Sequence, residues 1–203
     1  MMQLTDSMLM SLSKEAIMCL DTLGALQNPI VPDDGGLPLT KILIQKHISL
    51  DLFIMKRYTA IAGIKSVLNN VCARIFKDIL QIICNNNTTD RVEDFDVLDP
   101  RIWTNKKPSD DVTEQDKTMF LTFSRGFPVS EDEVICLFRR SYGQNSVEEI
   151  VMGNNFEANH QPMFATMIVD GVSLVDRILK GRRLIKFRIN GKDIWARKYE
   201  RRV

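Results

Sequence analysis

The sequence predicts an α+β chain: an all-α N-terminal module, an acidic linker, and a C-terminal domain that alternates strands and helices. Three observations carry this. Apolar residues recur at helical spacing in residues 1–84. Residues 85–116 hold nine acidic residues against four basic, with no sustained period of 2 or 3.6. Residues 117–203 break into short apolar runs separated by turn signals, the last of them Asn190-Gly191 between two β-forming stretches. The boundaries are therefore drawn at 1–84, 85–116 and 117–203. The chain has 203 residues, 44% of them apolar and 26% charged, with net charge +1. That composition is ordinary for a globular protein and excludes collagen-like, disulfide-stapled and wholly disordered classes.

The first helix is expected within residues 5–26, on Met8, Leu12, Ala16, Cys19, Leu20 and Leu23. Pro29, Pro32, Gly35, Gly36 and Pro38 then break the chain into a loop. Within it Asp33-Asp34-Gly35-Gly36 reads as a turn, because the spaced ligands of a calcium loop are missing. Residues 39–46, LTKILIQK, fit a short helix or a strand. From residue 49 to 84 the apolar positions Ile54, Ile61, Ile64, Leu68, Val71, Ile75, Ile79 and Ile82 form one helical stripe. Ser49 is the expected N-cap and Asp51 a first-turn anion. A helix of about 35 residues would rise about 50 Å. Helices alone supply little core below about 70–80 residues. The module is therefore expected to close on itself as a hairpin, to self-associate as a coiled coil, or to dock a protein partner.

In the linker, Phe95, Leu98, Ile102 and Trp103 are placed to dock on a neighbour, and its carboxylates to compete for the basic C-terminal end. That end is pronounced: residues 177–203 hold 11 basic and two acidic residues. Such a cluster attracts phosphates or acidic surfaces, and is equally read as a solvated face.

The C-terminal elements follow in order. Residues 119–124, MFLTFS, form a strand, and Gly126-Phe127-Pro128 a turn. Ser130 caps a helix with Glu131, Asp132 and Glu133 in its first turn; Val134, Leu137 and Phe138 lie on its apolar side, and Gly143 ends it. Residues 147–152 and 162–169 form two more strands, and a second helix runs over about 173–179. LIKFRI and DIWARKY form a hairpin on Asn190-Gly191. This is the ferredoxin-like β-α-β-β-α-β plan.

At this level the residues resemble the RNA recognition motif (RRM), over about residues 117–203. Met119-Phe120-Leu121-Thr122-Phe123-Ser124 stands where that family has its six-residue RNP2, and Pro162-Met163-Phe164-Ala165-Thr166-Met167-Ile168-Val169 where it has its eight-residue RNP1. More narrowly, the whole chain resembles a plant-specific group that pairs a helical N-terminal region (KEAIMCLDTLGALQNP, LPLT, ISLDLF) with a divergent motif ending NGKDIWARKYERR. The resemblance implies a non-enzymatic, nuclear protein that binds single-stranded RNA weakly through its β-sheet. Strand alternation puts Phe120 and Thr122, Phe164 and Thr166, and Trp195 and Arg197 on one surface. Lys198, Arg201 and Arg202 flank it. These nine residues are the expected RNA site. The family pattern is broken at Pro162 and Met163, where Lys or Arg and then Gly are usual, and at Thr166, where a second ring is usual. Each of the three rings is read either as a base-stacking platform or as a packing site for a terminal helix or protein ligand. The alternative function is accordingly a protein-interaction adaptor on the same fold.

Enzymatic signatures are missing. His47 and His160 show no metal-ligand spacing, and there is no GxSxG, P-loop or GxGxxG. No cofactor is expected. Cys19, Cys72, Cys84 and Cys136 are scattered without a CxxC pair, which reads as buried, reduced thiols in an intracellular protein. The Asn87-Thr88-Thr89 sequon then has no role. Neither a basic-then-apolar leader nor a run near 20 apolar residues is visible, so no membrane association is expected.

Overall fold

The computed structural model describes residues 5–76, 112–153 and 162–200. The chain is mixed α+β, with N-terminal helices and a C-terminal five-stranded antiparallel sheet. Residues 1–60 and 114–203 form one compact unit, and residues 61–113 a second. The helical part read as one module, 1–84, is thus shared between them, and its residues up to 60 belong to the same unit as the sheet.

Helix α1 (Asp6–Gly24) starts at Thr5, whose hydroxyl accepts from Met8 N. The ambiguous LTKILIQK stretch is helical, as α2 (Pro38–Ile44), with Pro at its first position, where the missing N–H costs nothing. Its first turn is capped from a distance. The buried Glu15 carboxylate of α1 accepts from Leu39 N and Thr40 N at 2.9 Å each, and from Thr40 Oγ1 at 2.5 Å. Burial alone would push its pKa up; the bonds from Thr40 and Leu39 outweigh this and hold it below the usual carboxylate value. In the loop between, Asp34 Oδ1 accepts from Gly36 N at 2.8 Å, which closes the expected turn.

The expected single helix over residues 49–84 is broken. Ser49 caps α3 (Leu50–Met55) as expected, but the chain turns at Lys56 (φ −112°, ψ 28°) before α4 (Arg57–Val67). A π-helical turn (Leu68–Cys72) and α5 (Ala73–Ile75) follow. The remainder, with Ile79, Ile82 and Cys84, lies outside the described residues, as do residues 85–111 of the linker; Glu114–Lys117 forms α6. The cause of the break is a long-range partner. A new helix start exposes unpaired N–H groups, and the buried Asp176 carboxylate accepts from Tyr58 N at 2.9 Å, Thr59 N at 3.0 Å and Thr59 Oγ1 at 2.6 Å. Apolar periodicity cannot register a partner so far along the chain.

Two guanidiniums close the other end of α1. Arg57 donates to Ala25 O at 3.2 Å, Thr22 O at 3.4 Å and Asn28 Oδ1 at 3.1 Å. Arg183 donates to Ala25 O at 2.6 Å and Leu23 O at 3.4 Å. Cations at a helix C-terminus satisfy carbonyls that lack intrahelical donors. Burial, with Arg183 beside it, lowers the pKa of Arg57. The Gly181 turn (φ 74°) sits against Ile54 and Met55, where an added Cβ would meet their side chains at 3.2 and 3.1 Å.

The sheet strands are β1 (Thr118–Phe123), β2 (Val147–Met152), β3 (Phe164–Val169), β4 (Leu184–Ile189) and β5 (Lys192–Lys198), in the order β2-β3-β1-β5-β4. Helices α7 (Glu131–Tyr142) and α8 (Val172–Leu179) follow β1 and β3. The LIKFRI run is an additional edge strand, joined to β5 through Asn190 (φ 48°) and Gly191 (φ 79°). Two successive positive φ values make the tight turn that the Asn-Gly pair announces. One face of the sheet is core: Met119, Leu121, Ala165, Met167, Ile194 and Ala196 are fully buried, together with Val134 of α7 and Val175 and Ile178 of α8.

Helix α7 carries a full capping box. Ser130 Oγ accepts from Glu133 N, and Glu133 Oε2 accepts from Ser130 N at 3.0 Å. Glu133 also pairs with Lys192 at 2.7 Å and accepts from Asn190 at 2.9 Å, which ties α7 to the β4–β5 turn. The Lys192 bond, then the Ser130 N–H and Asn190, lower its pKa to about 2. A folded-state pKa below the unfolded value stabilises the fold above about pH 4.5, and that contribution is lost as pH falls towards 2. Urea titrations at pH 7 are therefore expected to show E133Q less stable than wild type by about 1 kcal/mol. The gap should close near pH 2. A second prediction concerns Asp176. Its replacement by Ala leaves two helix N–H groups without their acceptor and is expected to cost about 3 kcal/mol in the same measurement.

Candidate functional site

The opposite face of the sheet brings together most of the expected site. Cross-strand register sets Phe120 beside Thr166 and Arg197, and Thr122 between Phe164 and Trp195. Period-two alternation makes this unavoidable once Met119, Leu121, Ala165, Met167, Ile194 and Ala196 face the core. The Phe120 and Phe164 rings are stacked, with centroids 5.5 Å apart and planes at 23°. Phe120 is half-buried, whereas Phe164 is 37% exposed and Trp195 39%. Phe164 is held in place from the side of Gly153: a Cβ there would lie 2.4 Å from its ring, so only glycine lets the backbone approach so closely.

Two rings carry a cation. The Arg197 guanidinium lies over Phe120 at 4.7 Å from the centroid, and the Lys186 ammonium over Trp195 at 5.5 Å. Contacts of this kind are worth about 0.5–1 kcal/mol at exposed sites. They hold charge at the sheet surface while remaining easy to displace.

Other expected residues lie elsewhere. Lys198 follows the core-facing alternation of Ile194 and Ala196. Its ammonium donates to the carbonyls of Gln115, Thr118 and Tyr199, so it anchors the start of β1. Arg201 and Arg202 lie outside the described residues, as do Phe95, Leu98, Ile102, Trp103, His160 and the Asn87 sequon. The thiols differ from expectation: Cys136 is exposed, while Cys19 and Cys72 are half-buried.

Several members of the surface escaped the sequence reading. Tyr199 reaches Phe120, with centroids 6.5 Å apart. It was available by continuing the alternation Trp195, Arg197 one step further. Lys186 and Arg188 face Trp195 and Asp193 across the hairpin. The two-residue turn fixes that register, but only once β4 is recognised as part of the sheet. Exposed Val151 and Leu184 extend the apolar surface along β2 and β4.

Among the described residues no group of three His, Cys, Asp or Glu side chains could hold a metal ion, and no helix is long and apolar enough to cross a membrane. No family model, curated protein or solved structure matches the chain.

Proposed function

We propose that this sheet surface binds single-stranded RNA, weakly and without catalysis, as a divergent RNA recognition motif with an added edge strand. The element order strand–helix–strand–strand–helix–strand supports that reading of the fold. One observation carries the functional step: the stacked Phe120–Phe164 pair lies on the side of the sheet away from the core, with a guanidinium beside it. Single-stranded nucleic acid is bound by just this combination of flat rings and cations, since every base has a π-face and every linkage a phosphate. In this reading Phe164 and Trp195 offer rings to two bases, Arg197 closes on a base or a phosphate next to Phe120, and the Thr122 and Thr166 hydroxyls between them meet base edges or 2′-OH groups. Thr166 in place of a ring, and Pro162 in place of a cation, remove one stack and one phosphate contact, which makes the affinity low. A nuclear site of action goes with this reading.

The test is a titration with a random single-stranded RNA pool at several salt concentrations. Wild type is expected to bind at low salt, with affinity falling as salt rises. Phe120→Ala/Phe164→Ala should lose about 1–3 kcal/mol per stacked base. No binding by wild type at low salt would favour an adaptor role instead. Equal binding by the double variant would remove the stacking account.

A further inference from the structure

The β4–β5 hairpin holds a charge arrangement that the stacking reading does not use. Lys186 and Arg188 project from β4 on the same side as Trp195. They are well exposed, with side chains 46% and 74% accessible. Between them sits Asp193, directly opposite Arg188. Its Oδ2 pairs with Lys186 Nζ at 2.7 Å, and its Oδ1 lies 3.9 Å from Arg188 Nε. That Oδ1 is buried and, among the described residues, has no hydrogen-bond partner. Aspartate is disfavoured in strands, and a carboxylate kept for architecture would have both oxygens satisfied. Glu133 shows what such a residue looks like, bonded to Lys192, Asn190 and Ser130 N. Asp193 instead spends its charge on two cations at the sheet edge.

Resting on the RNA-binding reading, we propose that Lys186 and Arg188 form a phosphodiester subsite along β4, and that Asp193 is a built-in competitor which occupies it in the free protein. The carboxylate stands where a backbone phosphate would lie. It also holds the Lys186 ammonium over the Trp195 ring. An incoming phosphate draws Lys186 and Arg188 from Asp193, and the ammonium leaves the indole, so that phosphate binding and access to the ring are one event. Exposed ion pairs are weak enough to be opened by a polyanion, whose binding releases its condensed counterions. The competitor raises the threshold for anions in general. A chain that supplies both a phosphate and a base to stack recovers what it spends in opening the pair.

The test uses the full chain with Trp103→Phe, which leaves Trp195 as the sole indole of the two in the sequence. Its fluorescence is followed on titration with two probes, a short random single-stranded RNA and base-free inorganic polyphosphate. D193N should bind both about three- to tenfold more tightly than the parent. Its log–log salt slope for RNA should steepen by about 0.7 for each cation released. Adding Lys186→Met and Arg188→Met to D193N should abolish the gain, with circular dichroism melts confirming that each variant is folded. Equal affinity and slope in D193N and the parent would overturn the proposal, as would a gain that persists without Lys186 and Arg188. RNA binding that responds to Phe164→Ala but not to D193N keeps the stacking account and removes the competitor. A D193N gain on polyphosphate, with no RNA bound by any variant, does the reverse. Binding of neither probe by any variant overturns both.

Discussion

The carboxylate of Asp176 is the contact on which the arrangement of the larger unit depends. It is 3% exposed, and its charge is balanced by the start of α4, through Tyr58 N, Thr59 N and the Thr59 hydroxyl. A buried carboxylate without such donors would cost several kcal/mol. The same device recurs at Glu15 and α2, and its mirror image at the C-terminus of α1, where Arg57 and Arg183 take the carbonyls. Helix ends are thus joined by side chains from other helices or from the sheet part. The N-terminal helices are seated on the rest of the unit by these polar contacts and by Ile54 and Met55 against the turn at Gly181.

With α7 and α8 on one face, and α3 and the start of α4 seated by α8 and Gly181, the other face keeps its rings. Phe164 and Trp195 are each more than a third exposed on a strand surface that is otherwise small and polar at Thr122 and Thr166. Cations lie over Phe120 and Trp195, and a carboxylate between two of the sheet's cations. The charges of this surface are therefore partly satisfied among themselves.

Local signals were legible where they were short-range. Ser130 and Glu133, Gly143, Asn190-Gly191 and the alternation through residues 119–123 and 164–169 all act within a few residues, and the elements they predict are present. The Lys56 break was not legible, because its cause is Asp176. The docking of residues 1–60 was hidden for the same reason: the groups that Arg57, Arg183 and Glu15 bond lie far from them along the chain. Lys198 illustrates a different limit. Its basic character suggested the RNA surface, but parity along β5 assigns it to the other side, and alternation alone was enough to say so.

The proposal that the sheet surface binds RNA is tested most directly by amide and aromatic NMR spectra recorded during titration with single-stranded RNA. The account predicts shift changes concentrated at Phe120, Thr122, Phe164, Thr166, Trp195 and Arg197, with Tyr58, Arg57, Asp176 and Arg183 unmoved. Changes confined to the Asp176 side, with the sheet rings undisturbed, would contradict it.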